Sequence, residues 1–283
     1  MVTLSNITSD ITVNFNGAGT GRTVTKRFYP AGAYTWTVPE GVYSVDVFLV
    51  GAGGGSRWDD GMGSGGGGGG GYTKTYRGSG YKAPSAGAWV GTSTEGRDGN
   101  AVSVQPGQSI SITVGAGVAG GNGGYSQFMN SNYRAYGGYT STSWSYGANG
   151  GSGGGGYTNG TGSTAGAGGS DGSDGGGPSG RYGKGQGHTT RDFGEPSGLR
   201  NAGGGSSVYR YSSNKVYGGE SDYTEGKGNN LDTNSVGKNS WYHGLGGGGY
   251  GGGAGAFTEY DSYVPGPVAG GDGTVLIRYQ VLE

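Results

Sequence analysis

The chain has 283 residues, 76 of them glycine and 22 tyrosine, no cysteine, and a formal net charge of −1. A charge balance this even, with only 13 % charged residues, argues against nucleic acid as a partner and against charge-driven disorder. The missing cysteines exclude disulfides and thiolate metal sites, and the 30 % hydrophobic content is too little for an oily core of domain size.

Alternating apolar residues from Val2 to Phe15 read as two short strands about Ser9-Asp10. Val24–Tyr29 reads as a strand, Pro30-Ala31-Gly32 as a turn and Tyr34–Val38 as a strand. After the turn at Pro39-Glu40-Gly41, Tyr43, Val45, Val47 and Leu49 share one face of a strand that ends at Val50. Gly71–Tyr76 holds a short strand. Ala101–Val104 and Ser109–Val114 read as a β-hairpin with Ile110, Ile112 and Val114 turned inward, and Ser126–Phe128 as one more strand. No alternation then follows until Thr274–Val281, which carries Val275, Ile277, Tyr279 and Val281. A strand there would complete a sheet begun near the N-terminus. The glycine content forbids long helices.

Between these strands lie glycine tracts at 51–55, 63–71, 115–124, 147–156, 166–177, 203–205 and 244–255. Glycine loses more conformational freedom on folding than any other residue, and these tracts have almost no side chains to bury. They are therefore solvated linkers or else extended polyproline II rods packed closely enough to bond through their backbones. The tracts alternate with complex, aromatic segments of unequal length, and strands bracket the whole set. That pattern favours rods joined by loops. The expected fold is all-β with stacked polyglycine polyproline II helices, clamped by N- and C-terminal strands and without α-helix. Residues 1–22 form a strand segment for attachment or assembly, and 23–283 the glycine-rich domain with strands at 24–50, 101–114 and 274–281.

Gly-x-Gly-x-x-Gly occurs by composition alone, never between a strand and a helix, and Gly183-Lys184-Gly185 lacks the Ser or Thr of a phosphate loop. His188 and His243 are the only histidines, with no nucleophile elbow or metal-ligand spacing beside them. Ser170-Asp171-Gly172-Ser173-Asp174-Gly175 has a calcium-loop look but occurs once, and reads as an acidic loop between rods. No catalytic residue, metal or cofactor is expected. The aromatic interruptions are the stronger candidates. Tyr133, Tyr136, Tyr139, Trp144, Tyr182, His188, Arg191, Tyr209, Tyr211, Tyr217, Tyr223, Trp241, Tyr242 and His243 lie in segments 130–146, 178–202 and 206–243. Tyrosine offers rigid amphipathic area at low entropic cost, and Ser and Asn add adaptable hydrogen bonds, as in an antibody paratope. About half of the aromatics are expected to pack against the rods instead, above all those inside tracts such as Tyr125, Tyr157 and Tyr250.

Three motifs occur in order. Phe28–Val42 with Val45–Gly55 resembles the opening of the glycine-rich domains of phage tail fibres and bacterial surface proteins. Val104–Gly117 looks like their second signature, and Gly270–Tyr279 like their usual ending. In layout the chain is also similar to phage tail-fibre adhesins, in which stacked polyglycine rods present variable loops to a bacterial receptor. The resemblance implies a virion protein on the exposed surface of the particle. Its partners would be a bacterial surface protein or glycan and other virion proteins, with no nucleic acid and no membrane insertion. A homo-oligomer, or a cap on an oligomeric fibre, would be its assembly state. The competing expectations are a structural virion component that contacts only its neighbours and, more weakly, an enzyme attacking surface glycans.

Overall fold

A computed structural model of the chain describes residues 10–12, 21–56, 66–78, 97–141, 146–156, 166–177, 180–207, 219–223, 247–256 and 267–282. Its strands are β1 (Asp10–Thr12), β2 (Gly21–Phe28), β3 (Gly32–Thr37), β4 (Ser44–Val50), β5 (Thr73–Tyr76), β6 (Val102–Ser103), β7 (Ser109–Val114), β8 (Ser126–Phe128), β9 (Arg134–Ala135) and β10 (Thr274–Leu282). The fold is all-β. Helical geometry among the described residues is limited to 3-10 turns, at Asp192–Gly194 and at Gly180.

Two antiparallel sheets face each other. One runs β1-β2-β10-β4-β5, with β6 also paired to β4, and the other runs β3-β7-β8-β9. β10 sits between β2 and β4, pairing Ile277 with Lys26 on one side and with Val47 on the other, so the late strand does complete the early sheet. Between the sheets lie Trp36, Val45, Val47, Leu49, Ile110, Ile112, Val114, Phe128, Val275 and Ile277. Alternation puts Phe48, Val50 and Leu276 on the outer face, where Phe193 and Ala202 cover them. Burial on both faces explains the unbroken apolar run at the end of β4. Because Ile112 is fully enclosed in this small sandwich, Ile112→Ala should cost about 3 kcal/mol in a urea unfolding titration.

Two expectations are corrected here. Val102–Ser103 does not form a hairpin with Ser109–Val114; β6 pairs with β4 and β7 with β3 and β8, so the turn at Pro106-Gly107 crosses between sheets. Tyr43 lies just outside β4 and is exposed instead of sharing its inner face. The early alternation is described only at β1, and the rest of 2–16 lies outside the described residues.

The glycine tracts pack as rods. The 66–72 rod shows why. Gly67 and Gly70 donate their N–H groups to Gly155 and Ser152, Gly68 and Gly71 to Ala254 and Gly251, and Gly69 and Tyr72 to Tyr139 and Tyr136. A direction that recurs every third residue is the threefold screw of polyproline II, which has no hydrogen bonds of its own. The Cα hydrogens follow the same rule. A Cβ on Gly66 or Gly69 would strike 146 or 149, on Gly67 or Gly70 would strike 205 or 202, and on Gly68 or Gly71 would strike 54 or 51. This rod is thus enclosed by six stretches of backbone, at 51–54, 136–139, 146–149, 152–155, 202–205 and 251–254. Such hexagonal contact is open only to residues without side chains. It also pairs backbone groups that would otherwise be buried unsatisfied.

The 51–56 rod repeats the pattern. Residues 51 and 54 bond 72 and 69, residues 52 and 55 bond 124 and 121, and residues 53 and 56 bond 271 and 268. Many rods continue strands directly: 51–56 leaves β4, 66–72 enters β5, 115–118 leaves β7, 121–125 enters β8, 136–141 leaves β9 and 267–273 enters β10. The sheets therefore set the register of the bundle. At the junction Ser126 Oγ donates to the Val50 carbonyl (2.6 Å) and accepts from the Gly115 N–H (3.1 Å). Asp272 accepts there from the N–H groups of Ala31 and Gly117. The longer tracts are not single rods. Turns with positive φ at Gly120, at Asp171 and Gly172, and at Gly249 and Gly251 fold them into antiparallel pairs.

Candidate functional site

The hydrogen-bond register fixes the height of each rod above the sheets. Gly51, Tyr72 and Tyr136 lie together at the sheet end. Counting away from them, Ser56 bonds Val268, Gly166 bonds Gly156, Ala256 bonds Ser206 and Ser207 bonds Gly166. The rod ends at 56 and 66, 141 and 146, 156 and 166, 177 and 180, and 256 and 267 therefore all lie at the end remote from the sheets. So does Ser207. The segments 57–65, 142–145, 157–165, 178–179 and 257–266 start and finish at that one end, and 208–218 starts there.

The predicted binding residues that the structure describes lie in several places. Trp144, Tyr209, Tyr211, Tyr217, Trp241, Tyr242 and His243 lie outside the described residues. Tyr133 sits at the sheet end, packed edge-on against Tyr76 with ring centroids 5.0 Å apart. Tyr182 lies on the 181–186 rod near the remote end, with Lys184 Nζ 4.8 Å from its ring. The chain then descends, and residues 187–202 fold over the outer face of the large sheet.

Three ionic clusters pin this cover. Arg191 Nε donates to Asp171 Oδ2 (3.1 Å), while Thr189 and Thr190 donate to Asp171 Oδ1. That carboxylate is thereby committed to the scaffold, as is Asp174 through Lys184 (2.7 Å). Arg278 bridges Asp46 (2.9 Å) and Glu195 (2.8 Å) beneath the Phe193 ring. In the third cluster Arg27 lies against Tyr223 and Tyr250, 4.5 and 4.3 Å from the ring centroids, and 3.5 Å from Asp192. Tyr223 Oη donates to Asp192 Oδ2 (2.5 Å) and accepts from Arg27, and Asn201 Nδ2 donates to Asp192 Oδ1 (2.9 Å). Burial pushes the Asp192 carboxyl above its ordinary value, against the pull of Arg27, Tyr223 and Asn201. Burial beside Asp192 likewise raises the Tyr223 phenol. Arg191 and Tyr223 thus face the scaffold. His188 is half-buried, with Nδ1 3.2 Å from the Thr189 carbonyl.

Tyr136 and Tyr139 do face solvent, 63 % and 51 % exposed, as do Tyr146 (54 %) and Tyr125 (41 %). Tyr136 and Tyr139 are three residues apart on one rod, and their carbonyls contact Gly51 and Gly54, also three apart. Their side chains therefore leave the same side of the rod. Tyr72 braces Tyr139 edge-on, its ring 6.3 Å away. Tyr125 was expected to fill space inside the bundle. Its rod lies at the surface instead, where its ring carries the Arg134 guanidinium at 4.1 Å, while Tyr250 is buried as expected. A period of three in Tyr133, Tyr136 and Tyr139 was the available sign of this row. Nothing in the sequence flags Asn122 or Asn149 beside it.

A family model described as a glycine-rich domain matches residues 29–280. No match is found among curated proteins.

Proposed function

The chain belongs to the glycine-rich domain family over residues 29–280, and on that premise we propose that it is a phage tail-fibre or receptor-binding adhesin that recognises a bacterial surface through the aromatic segments between its rods. The observation that carries this reading is the convergence of rod ends. Five interrupting segments start and finish at the end of the bundle remote from the sheets. A rod held on all sides by backbone bonds has little freedom, so groups mounted on it lose little entropy on binding. The opposite end, closed by two sheets, is left for attachment to other virion proteins.

The test removes the recognition segments and spares the scaffold. Deleting the whole of 206–243 would also remove Ser206, Ser207 and Tyr223, which are part of the bundle and the Arg27 cluster. Replacing only 57–65, 157–165 and 208–218 by short Gly-Ser links should leave the melting temperature within a few degrees. Binding of the labelled protein to host cells should vanish. Undiminished cell binding would overturn the assignment. Capture of other virion proteins with no cell binding by the unaltered chain would make it a structural component.

A further inference from the structure

We propose that the side of the bundle formed by 121–125, 136–141 and 146–149 is a binding face for a neutral oligosaccharide, laid along the rod axis over Tyr136 and Tyr139. This takes its biological setting from the adhesive reading but places the contact on the side of the rods, not on the segments that join them at the remote end.

The chemistry of the face points to that ligand. Tyr136 and Tyr139 repeat at one turn of the rod, about 9 Å, so flat rings recur at a fixed interval on a stiff backbone. Tyr125 extends the row sideways at the height of Tyr136, since Gly123 bonds Gly138 on the adjacent rod, and Tyr146 extends it upward. Rings braced in this way can stack on the apolar faces of sugar rings while their hydroxyls meet sugar hydroxyls.

Two amides flank Tyr139. Asn122 Oδ1 accepts from the Thr140 N–H (2.8 Å), and Asn149 Oδ1 accepts from the Lys184 N–H (2.7 Å). Each bond fixes the carbonyl side of its amide. Both side chains are exposed, and their Nδ2 groups have no partner among the described residues. They are oriented donors beside aromatic rings, the pairing that hydroxyl-rich ligands use.

Charge selects the neutral class. The three stretches contain no Asp, Glu, Lys or Arg. Of the described cations around it, Arg134 is engaged with Gln127 Oε1 (2.8 Å) over the Tyr125 ring and Lys184 with Asp174 (2.7 Å), and Arg181 stands on the next rod, where its carbonyl accepts from the Gly147 N–H. An anionic glycan laid over Tyr136 and Tyr139 would find no counter-charge within these stretches, and a strongly hydrophobic partner would strand the two amides.

The full chain is tested by calorimetric titration with short neutral gluco- and galacto-oligosaccharides and, in a second arm, with uronic-acid oligosaccharides. Saturable binding is expected in the neutral arm alone. Tyr136→Ala with Tyr139→Ala should weaken it at least about tenfold, Tyr139→Phe should largely keep it, and Asn149→Ala should weaken it at unchanged melting temperature. The variant with 57–65, 157–165 and 208–218 replaced should bind oligosaccharide normally even where it has lost host cells, which separates this site from the adhesive one. Absence of saturable binding, indifference to the double tyrosine change, or a dimer in sedimentation that the same change dissociates would overturn the proposal; the last outcome would give the face to a second copy of the chain.

Discussion

Gly71→Ala should abolish the cooperative unfolding transition or lower its midpoint by about 10–20 °C or more. The added Cβ would lie 1.8 Å from the Gly51 carbonyl oxygen and 2.4 Å from its carbon. The obstacle is backbone, so no rotamer change relieves it. Moving the 51–56 rod away would break its bonds to the rods at 121–124 and 268–271 in turn. The cost therefore exceeds that of an ordinary surface Gly→Ala and falls among the rare changes above about 4 kcal/mol. Gly78→Ala is the control. Its Cβ would meet nothing within 4 Å, and its φ is ordinary, so thermal melts should show no loss. Equal melting of the two variants would refute close packing of the rods.

Asp192→Ala should destabilise the protein by about 3 kcal/mol, because Arg27 and Tyr223 would stay buried without their acceptor. Asp192→Asn keeps an acceptor and should cost less. Its value is in the pH dependence. With Asp192 raised by burial, the native state holds this proton more tightly than the unfolded chain does. The stability contributed by the group is then complete below the ordinary value of 3.8 and declines as pH rises through the raised value. Wild type should therefore lose ground relative to Asp192→Asn as pH climbs from about 4, in melts across that window. Asp222 behaves oppositely. Hydrogen bonds from Arg200 hold it low, so its smaller, solvent-screened contribution is present above 3.8 and lost as pH falls.

Where the code is local, the chain could be read from its letters. The alternation in 44–50, 109–114 and 274–281 places strands within a residue or two, because one buried face enforces it. Runs of glycine announce rods for the same reason that collagen needs glycine: only the position aimed at a neighbour must lack a side chain. That rule also explains what the runs hide. Tyr136-Gly137-Gly138-Tyr139 is as much a rod as 66–72, but it lies at the surface and needs glycine only at 137 and 138, whose Cβ atoms would strike Gly123 and Gly69. Residues 181–186 are similar, with Gly183 and Gly185 pressed on Ala148 and Ser173 and with Tyr182 and Lys184 turned outward. The inward fold of 187–202 was illegible because it rests on pairings such as Asp171 with Arg191 and Glu195 with Arg278, which no short window contains. The candidate site was legible in part. Composition singled out Tyr136 and Tyr139, but it could not separate them from Arg191 and Tyr223, which serve the scaffold.

The screw of the 66–72 rod restricts how such a chain can change its length. One inserted residue would turn every later N–H by a third of a revolution, toward a neighbour that offers no carbonyl there. Three inserted residues would restore the facing and add a storey to that rod alone. Drift by insertion and deletion is thus confined to the remote rod ends, where a segment can grow or shrink by any number without disturbing a single rod. Related proteins on this plan should accordingly diverge in the length and sequence of those segments while their bundles stay superposable.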